Sequence, residues 1–456
     1  MQAKQQTSGR KEFNSGNNLT AAPRVLLAEN SGWSVVAVLA VRLAKVGIHV
    51  SAVCPAHNPL LKTRAVSETF PYSALHPLDS LAAAIEAARP DFIIPCDDRA
   101  VPHVHELHAR ARLMGEAGRA LAALIEKSLG SPESYPVVSS RYDLLRIARE
   151  EGLRVPDTEE INSESDLEAW QRQHAFPWVL KADTTGNGRG VRFVQKPGQS
   201  SRFLAELIQF YGLGRAIKRL FVNRDPFWVR PWWNGVKPAV IAQSYIQGRP
   251  ANCGVLCWRG KILAGIGVEV FSETEAMAHA SVVRVVDNPD MMLCAERIAR
   301  RLNLSGFFGL DFMIEEGTGL TYLIEMNPRP TRLSSLRLGT GRDPIGAIYA
   351  QLSGQQIQSA PPVTRLNQIA YFPEVAEPGA KLLESCYHDV PEGEPELMRQ
   401  LQRPWPTETV VWRLIDAVKL VKQFVRNHAL KRSSVPHDEQ NHQADKGALA
   451  HAKILD

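Results

Sequence analysis

Residues 306–330 read GFFGLDFMIEEGTGLTYLIEMNPRP, and this stretch decides how the rest of the chain is interpreted. Two apolar, strand-like runs at 308–314 and 320–326 flank the residues EEGTG at 315–319, which have the composition of a hairpin turn. The stretch therefore predicts two antiparallel strands that are joined by a short turn.

Three oxygen-bearing side chains lie on this predicted hairpin, namely Asp311, Glu325 and Asn327. Pairing of the strands would bring the two acids together, and Asn327, two residues after Glu325, would share its face. Hard oxygen ligands of this kind suit Mg²⁺, which needs only one or two protein carboxylates when it bridges ATP phosphates. The alternative is an exposed strand face followed by a proline turn, but the nearby Arg329 favours a phosphate site.

A second candidate is the stretch KADTTGNGRGV at 181–191, in which Lys181 ends a strand and Gly186, Gly188 and Gly190 lead to the next one. Glycines at alternate positions let backbone N–H groups approach phosphate oxygens, and the lysine adds a point charge. The spacing is not that of a Walker A motif. A hairpin loop with chance glycines is the alternative that the residues leave open.

The stretch 306–330 strongly resembles the metal-binding end of ATP-grasp enzymes, the family of biotin carboxylase, the large chain of carbamoyl-phosphate synthase and D-alanine:D-alanine ligase. The resemblance covers roughly residues 24–355, and the glycine-rich loop agrees with it. It implies that the chain binds ATP together with Mg²⁺, for which Mn²⁺ is an alternative. The implied metal ligands are Asp311, Glu325 and Asn327, the implied phosphate ligands are Arg141 and Lys181, and Arg329 is placed near the transferred phosphate and acyl group.

Between these motifs, AQSYIQG at 242–248 looks like the hinge against which adenine lies, with Gln243, Tyr245 and Ile246 as contacts. Gln243 stands where many relatives have glutamate, but its carbonyl oxygen can accept a hydrogen bond from the adenine amino group. Where many relatives place a ribose-binding acid, this chain has RPAN at 249–252. The resemblance therefore assigns no ribose contact.

Upstream of these motifs, apolar runs at 25–28, 48–53 and 92–95 alternate with helical stretches, which predicts βαβ units and a parallel sheet. The first run is followed by ENSGW at 29–33, whose single glycine does not fit a dinucleotide fingerprint. The expected fold class is α/β, with α+β character in the lid: an ATP-grasp fold preceded by a parallel-sheet domain.

The chain is expected to divide into two polar, disordered ends and four folded parts. Ser140 is predicted to cap the helix that opens at Arg141, and Gly152 to end it. The boundaries are a disordered tail at 1–22, a leader domain at 23–130, an ATP-grasp lid subdomain at 131–245, a large subdomain with the metal site at 246–365, a C-terminal strand and amphipathic helix at 366–431, and a disordered tail at 432–456.

Lys and Arg number 53 and Asp and Glu 48 among 456 residues, an excess too small to indicate nucleic-acid binding. No apolar run reaches the roughly 18 residues of a membrane span, and the polar N-terminal residues lack the apolar core of a secretion signal. The six cysteines form no zinc-type set. We therefore expect a cytoplasmic protein, and the oligomeric state stays open.

Three further features have two interpretations each. Arg284 lies in the apolar run SVVRVV, where it is a candidate catalytic residue that points at phosphates or substrate, or else the outward face of an alternating strand. His279 either orients an acyl phosphate or is merely solvated. The aromatic run FWVRPWW at 227–233 either walls a substrate pocket or packs under the lid.

Residues 410–430 have apolar positions at helical spacing, with Arg413, Lys419, Lys422 and Arg426 on the other face. A basic amphipathic helix of this kind can lie on a membrane surface. Docking onto the protein's own core is the commoner use of such a helix and is favoured over membrane contact.

The resemblance implies a ligase that joins a small-molecule carboxylate to an amine, or to a thiol, through an acyl phosphate. The substrate pocket is expected to include Asp97 and Asp98 of the leader domain. One alternative is an enzyme that activates bicarbonate, like biotin carboxylase or carbamoyl-phosphate synthase. Another is a module that binds ATP without turnover, although such a module would have no chemical need for Lys181, the hairpin ligands and Arg329.

Overall fold

The computed structural model describes residues 22–183, 190–222, 226–271, 282–357, 367–372 and 386–402. Several features predicted from the sequence lie outside these ranges. They are Gly186, Gly188, His279, the helix at 410–430, the tail at 432–456 and residues 1–21 of the first tail.

Four parallel strands form the first sheet, in the order β3-β2-β1-β4. The strands are β1 (Arg24–Ala28), β2 (His49–Cys54), β3 (Val66–Pro71) and β4 (Phe92–Pro95), and the helices are α1 (Ser34–Lys45), α2 (Pro77–Ala88), α3 (Ala100–Leu113) and α4 (Arg119–Leu129). Val25 and Leu27 pack in one apolar core and Leu26 and Ala28 in another, so β1 is apolar on both faces. The predicted parallel sheet is confirmed.

The second sheet has four antiparallel strands in the order β5-β8-β6-β7. Ser140 caps α6 by accepting a hydrogen bond from the backbone N–H of Asp143 at 3.2 Å, and Gly152 follows the helix with φ +72°, as predicted. The strands are β5 (Thr158–Glu160), β6 (Trp178–Ala182), β7 (Val191–Val194) and β8 (Val240–Ser244); the helices are α5 (Tyr135–Val138), α6 (Arg141–Glu150), α7 (Glu164–Gln173), α8 (Ser200–Ile208), α9 (Leu213–Val222) and α10 (Val229–Trp233).

The third sheet has seven strands in the order β13-β12-β9-β10-β11-β14-β15, and β12 and β13 form the predicted hairpin. The strands are β9 (Gly248–Trp258), β10 (Lys261–Val270), β11 (Val282–Val285), β12 (Gly306–Glu315), β13 (Thr321–Asn327), β14 (Gln368–Tyr371) and β15 (Tyr387–Asp389). The helices that accompany it are α11 (Pro289–Arg301), α12 (Pro344–Ser353) and α13 (Pro395–Leu401).

The first and third sheets share one apolar core, in which Phe92 of β4 packs with Phe307 of β12 and Leu256 of β9. At the edge of this contact, Gly130 ends α4 with φ +98° and bridges to Leu304. A Cβ atom at Gly130 would lie 2.2 Å from the carbonyl oxygen of Asn303. The backbone at Gly130 therefore lies so close to the backbone at Asn303 that there is no room for a side chain at position 130.

We expect Gly130→Ala to destabilise the protein more than Gly115→Ala does, because both glycines have positive φ but a Cβ at Gly115 meets nothing within 4 Å. Backbone strain costs about 1 kcal/mol or more at either site, and the collision adds about 1–3 kcal/mol at Gly130 alone. Urea unfolding of the two variants measures the difference. Equal losses of stability would contradict this account of the domain contact.

Candidate functional site

Asp311 and Glu325 face each other across the β12–β13 hairpin as register partners. The next pair is Phe312 with Leu323, so Ile324 is an extra residue in β13 and forms a bulge. Phe312 and Leu323 are buried together on the opposite face of the sheet. The bulge therefore turns Glu325 to the face of Asp311, although a regular strand would place Glu325 on the same face as Leu323.

Two asparagine side chains donate hydrogen bonds to Asp311. Asn327 Nδ2 lies 3.0 Å from Oδ2, and Asn252 Nδ2, on the neighbouring strand β9, lies 2.5 Å from Oδ1. Asn252 belongs to the stretch 249–252, where this sequence lacks the ribose-binding acid that many relatives have. Its pairing with Asp311 joins residues that are far apart in the chain, and no local pattern predicts it.

Two cations from the second sheet and its first helix lie against these acids. Arg141, the first residue of α6, donates from Nε to Glu325 Oε2 at 2.8 Å and from Nη1 to the carbonyl oxygen of Ala182 at 2.7 Å. Its Nη1 also lies 3.3 Å from Oδ1 of Asp183, a buried residue that the sequence did not single out. Lys181 on β6 is 7% exposed. The structure thus brings both predicted phosphate ligands to the hairpin.

Burial and the proximity of the two acids move their pKa values in opposite directions. Burial, and after it the negative charge of Glu325, raise the pKa of Asp311 to about 7. Burial alone would also raise the pKa of Glu325, but Arg141 and Lys181 together hold that pKa below its usual range. Burial lowers the pKa of Lys181 to about 8 against the opposing charge of Glu325. Additional positive charge next to Asp311 would therefore stabilise its ionised form.

The two hairpin acids fit a magnesium ion, since a metal cation would offset both the burial and the charge of Glu325 that raise the pKa of Asp311. Asn327 fits on one condition. Its Nδ2 now faces Asp311 and its Oδ1 accepts a hydrogen bond from Arg329 Nη2 at 3.2 Å, so the amide must turn to offer oxygen to a metal. Within the described ranges, no group of three or more His, Cys, Asp or Glu side chains could hold a metal ion, so the remaining ligands would come from phosphates and water.

Arg329 connects the hairpin to the first domain. It is 8% exposed, and its Nε and Nη2 donate to the two carboxylate oxygens of Asp98 at 2.6 and 3.2 Å. Its guanidinium carbon also lies 4.3 Å from the ring centre of Trp33. Asp98, predicted as part of the substrate pocket, is thus the residue that fixes the direction of Arg329.

The neighbouring Asp97 has a different role, because it is 3% exposed and accepts hydrogen bonds from backbone groups. Its Oδ2 accepts from the backbone N–H of Asn30 at 2.6 Å, and its Oδ1 accepts from that of Arg99 at 2.8 Å. These bonds tie the loop after β1 to the loop after β4. The two strands are neighbours at the point where the strand order reverses, which in parallel sheets is where ligands bind.

Two of the residues predicted to hold ATP, Lys181 and Gln243, lie on one face of the second sheet. Val179 pairs with Gln243 and Lys181 with Ile241, so Lys181 and Gln243 project from the same face. Gln243 is 2% exposed and donates from Nε2 to Thr158 Oγ1 at 3.3 Å. The remaining predicted ATP contacts are Gly190, which is buried at the start of β7, and Tyr245 and Ile246, which are half-buried in the connection between β8 and β9.

Part of the predicted aromatic run of the lid subdomain packs inward and part contacts helix α3 of the first domain. Trp228 is 6% exposed and packs in a small core with Phe210. Phe227 faces α3, where the guanidinium carbon of Arg99 lies 4.2 Å from its ring centre. About two helix turns further along α3, Glu106 forms an ion pair with Arg230 at 2.9 Å. We call this contact of Phe227 and Arg230 with α3 the latch.

Comparisons with known proteins agree with this geometry. Residues 138–332 match the family model of the ATP-grasp domain. These residues form an ATP-grasp domain. The large chain of carbamoyl phosphate synthase from Xylella fastidiosa is 21% identical over 205 residues, which are 44% of this chain and 18% of that relative. The match thus spans less than a fifth of the length of the curated relative.

Three solved structures show the same fold, which confirms the predicted fold class. A carboxyaminoimidazole ribonucleotide synthase from Aspergillus clavatus in complex with ATP has a TM-score of 0.52 at 14% identity, with 74% of this chain and 78% of that chain covered. The biotin carboxylase domain of Hydrogenobacter thermophilus 2-oxoglutarate carboxylase, in complex with MgADP and bicarbonate, has a TM-score of 0.51 at 15% identity, with 75% of this chain and 72% of that chain covered. An ADP complex of N5-carboxyaminoimidazole ribonucleotide synthetase has a TM-score of 0.51 at 11% identity, with 75% of this chain and 79% of that chain covered.

The structure does not bring Arg284 to the hairpin of the ATP-grasp domain. The register runs from Asp311 through Asn252 and Val268 to Val285, so Val285 shares the face of Asp311 and its neighbour Arg284 projects from the opposite face. There Arg284 is 46% exposed at its side chain and pairs with Glu269 at 3.3 Å. Of the two interpretations of this residue, the outward strand face is the one that the register supports.

We expect the stability of the metal-free ATP-grasp domain to depend on pH through the ionisation of Asp311. Because its pKa in the folded protein is raised above the unfolded value, its contribution to stability is present at low pH and is lost as the pH rises towards about 7. In EDTA, the melting temperature of Asp311→Asn relative to wild type should therefore be higher at pH 8 than at pH 5. Asp290→Asn, a change at an exposed acid, is the control. A pH-independent difference for Asp311→Asn would contradict the assignment.

Proposed function

We propose that this chain is a magnesium-dependent ligase that uses ATP to activate a carboxylate as an acyl phosphate and then joins it to an amine. The observation that carries the proposal is the convergence of two half-buried acids on one hairpin with Arg329, which follows the hairpin, and with Lys181 and Arg141 from two other parts of the chain. The raised pKa of Asp311 agrees with the proposal, because perturbed pKa values cluster at functional sites. Phosphoryl transfer needs cationic side chains and metal-binding carboxylates close together, because the phosphates must be positioned and their charge neutralised.

The phosphates of ATP would lie between the hairpin and the second sheet. Asp311, Glu325 and Asn327 would hold magnesium, which would supply positive charge to neutralise the charge that develops on the phosphates. Lys181 would contact the phosphates from the sheet face that also carries Gln243, so adenine and phosphates would extend along one face. Arg141, fixed by Glu325 and the carbonyl of Ala182, would hold its charge at the entrance to the glycine-rich loop.

The chemistry then takes two steps. A carboxylate oxygen of the substrate forms a bond to the γ-phosphorus while the bond from that phosphorus to the bridging oxygen breaks, and ADP leaves with the electron pair. The amine attacks the carbonyl carbon of the acyl phosphate, inorganic phosphate departs, and the amine nitrogen loses a proton. Arg329, aimed by its bidentate pair with Asp98, would stabilise the oxyanion of the second step.

Water must be kept away from the acyl phosphate, since hydrolysis would waste it. The latch would supply this protection by holding the lid subdomain against α3, directly beside the loop that carries Asp98. Arg99 of that loop contacts Phe227, so one loop aims Arg329 and holds the lid at the same time. Closure of the lid and orientation of Arg329 are thereby mechanically connected.

Release of ADP from Mg-ATP, measured across pools of amino acids, small carboxylic acids and bicarbonate, tests the proposal. Lys181→Ala and Glu325→Gln should each lower substrate-dependent ADP release about a hundredfold or more, since each removes charge that the transition state needs. Arg329→Ala should do likewise, whereas Arg284→Ala, a change of the same kind on the opposite sheet face, should retain activity.

The outcomes separate the candidate functions. Activity in the bicarbonate pool alone would support carboxyphosphate formation instead of amide synthesis. ATP binding with no ADP release in any pool would support a binding module. An undiminished, substrate-dependent ATPase in Lys181→Ala or Glu325→Gln would show that the site is elsewhere.

A second experiment tests the latch. Arg99→Ala removes a cation–π contact worth about 1 kcal/mol, which would shift the closing equilibrium of the lid about fivefold towards the open state. We expect the ratio of ADP released to amide formed to rise, because more acyl phosphate meets water. Arg119→Ala, at an exposed arginine of α4, is the control. A proportional fall of both products with a constant ratio would contradict the role of the latch.

A further inference from the structure

Helix α9 of the lid subdomain exposes an apolar stripe. Leu213, Ile217 and Phe221 follow one another at intervals of four residues, so they lie on one face of the helix, and they are 47%, 48% and 75% exposed. Ala216, about 100° around the helix from Ile217, is 3% exposed and packs in the small aromatic core. The helix is therefore anchored by one face and presents large apolar side chains on the other.

The segment after α9 exposes further large apolar side chains. Trp233 is 78% exposed and Val236 is 46% exposed. Soluble proteins tolerate single exposed apolar residues, but a concentration of large ones on one stretch marks an interaction site. Aromatic side chains of this size are enriched where one partner is a lipid headgroup region.

The same stretch is strongly basic. Residues 212–237 contain six Lys and Arg and one Asp, whereas the whole chain has a net charge of only +5. Arg215 and Arg219 are held at α9 by packing on the rings of Phe210 and Trp228, at 4.3 and 5.2 Å from the ring centres. Arg215 and Arg219 thus lie on the side of α9 that packs on this aromatic core, whereas Lys218 is exposed and, three residues before Phe221, borders the apolar stripe.

We propose that α9, together with the exposed Trp233 and Val236, forms a docking surface for an anionic lipid bilayer, with the stripe of Leu213, Ile217 and Phe221 in the boundary between headgroups and acyl chains. A basic helix with Phe, Leu and Ile on its apolar face is the kind of element that binds such an interface. Each Lys or Arg near an anionic surface adds attraction that salt screens. None of the described helices has both the length and the apolar composition needed to cross a bilayer.

Charge decides against the two other occupants of this surface. A second copy of the chain would place two basic faces against each other, and like charges in contact disfavour association. The C-terminal stretch 410–430 has four Lys and Arg and one Asp, so it carries the same sign of charge as α9. An anionic surface is complementary to both stretches.

Co-sedimentation of the full-length protein with vesicles tests the proposal. Wild type should bind vesicles of 70% phosphatidylcholine and 30% phosphatidylglycerol, should bind pure phosphatidylcholine much more weakly, and should be released by 0.5 M NaCl. Ile217→Ser with Phe221→Ser should lower partitioning into the anionic vesicles about tenfold. Leu113→Ser with Met114→Ser, two exposed apolar residues at the end of α3, should leave it unchanged.

Unaltered melting temperature of both double variants shows that the fold is intact. If wild type does not bind anionic vesicles, or if the α9 variant binds as well as wild type, the docking surface is wrong. Self-association measured by sedimentation velocity and abolished by the α9 variant, with no vesicle binding, would assign the stripe to a second copy. None of these readouts depends on the ligase activity, so the outcome is separate from the proposed function.

Discussion

The arrangement of the whole chain depends on two carboxylates held face to face in a buried hairpin. Asp311 and Glu325 would repel each other at this separation, and burial increases the cost of their charge. Arg141 and Lys181, which belong to the lid subdomain, supply most of the compensation. The position of the lid relative to the hairpin is therefore set by electrostatics as well as by packing, and the charge balance still leaves room for a metal ion.

A second chain of contacts ties the first domain to the same hairpin. Arg329 follows the hairpin and finds its partner in Asp98, at the carboxyl end of a parallel strand. The adjacent Asp97 accepts a hydrogen bond from the backbone N–H of Asn30 in the loop after β1. Arg99 packs on the ring of Phe227 in the latch. One loop thus reaches three structural elements. A domain without nucleotide-binding motifs thus orients Arg329 and contacts Phe227 of the lid subdomain.

The parts that the sequence predicted well were those with local patterns. The β12–β13 hairpin, the parallel strands at 25–28 and 92–95 and the cap at Ser140 all follow from periodicity, turn composition or spacing within a few residues. Strand β3 was missed because it lies at the edge of its sheet, where most of its side chains are exposed and the apolar run that marks a buried strand is absent.

The sequence by itself determined the ATP-grasp fold and the oxygen-bearing side chains that meet on the hairpin, because these reside in short stretches whose residue types are dictated by backbone conformation and by charge. Only the tertiary structure decided that Asn252 lies beside Asp311, that a bulge at Ile324 turns Glu325 to the same face, and that Arg284 faces away. Strand register fixes each of these, and register depends on pairing between distant segments.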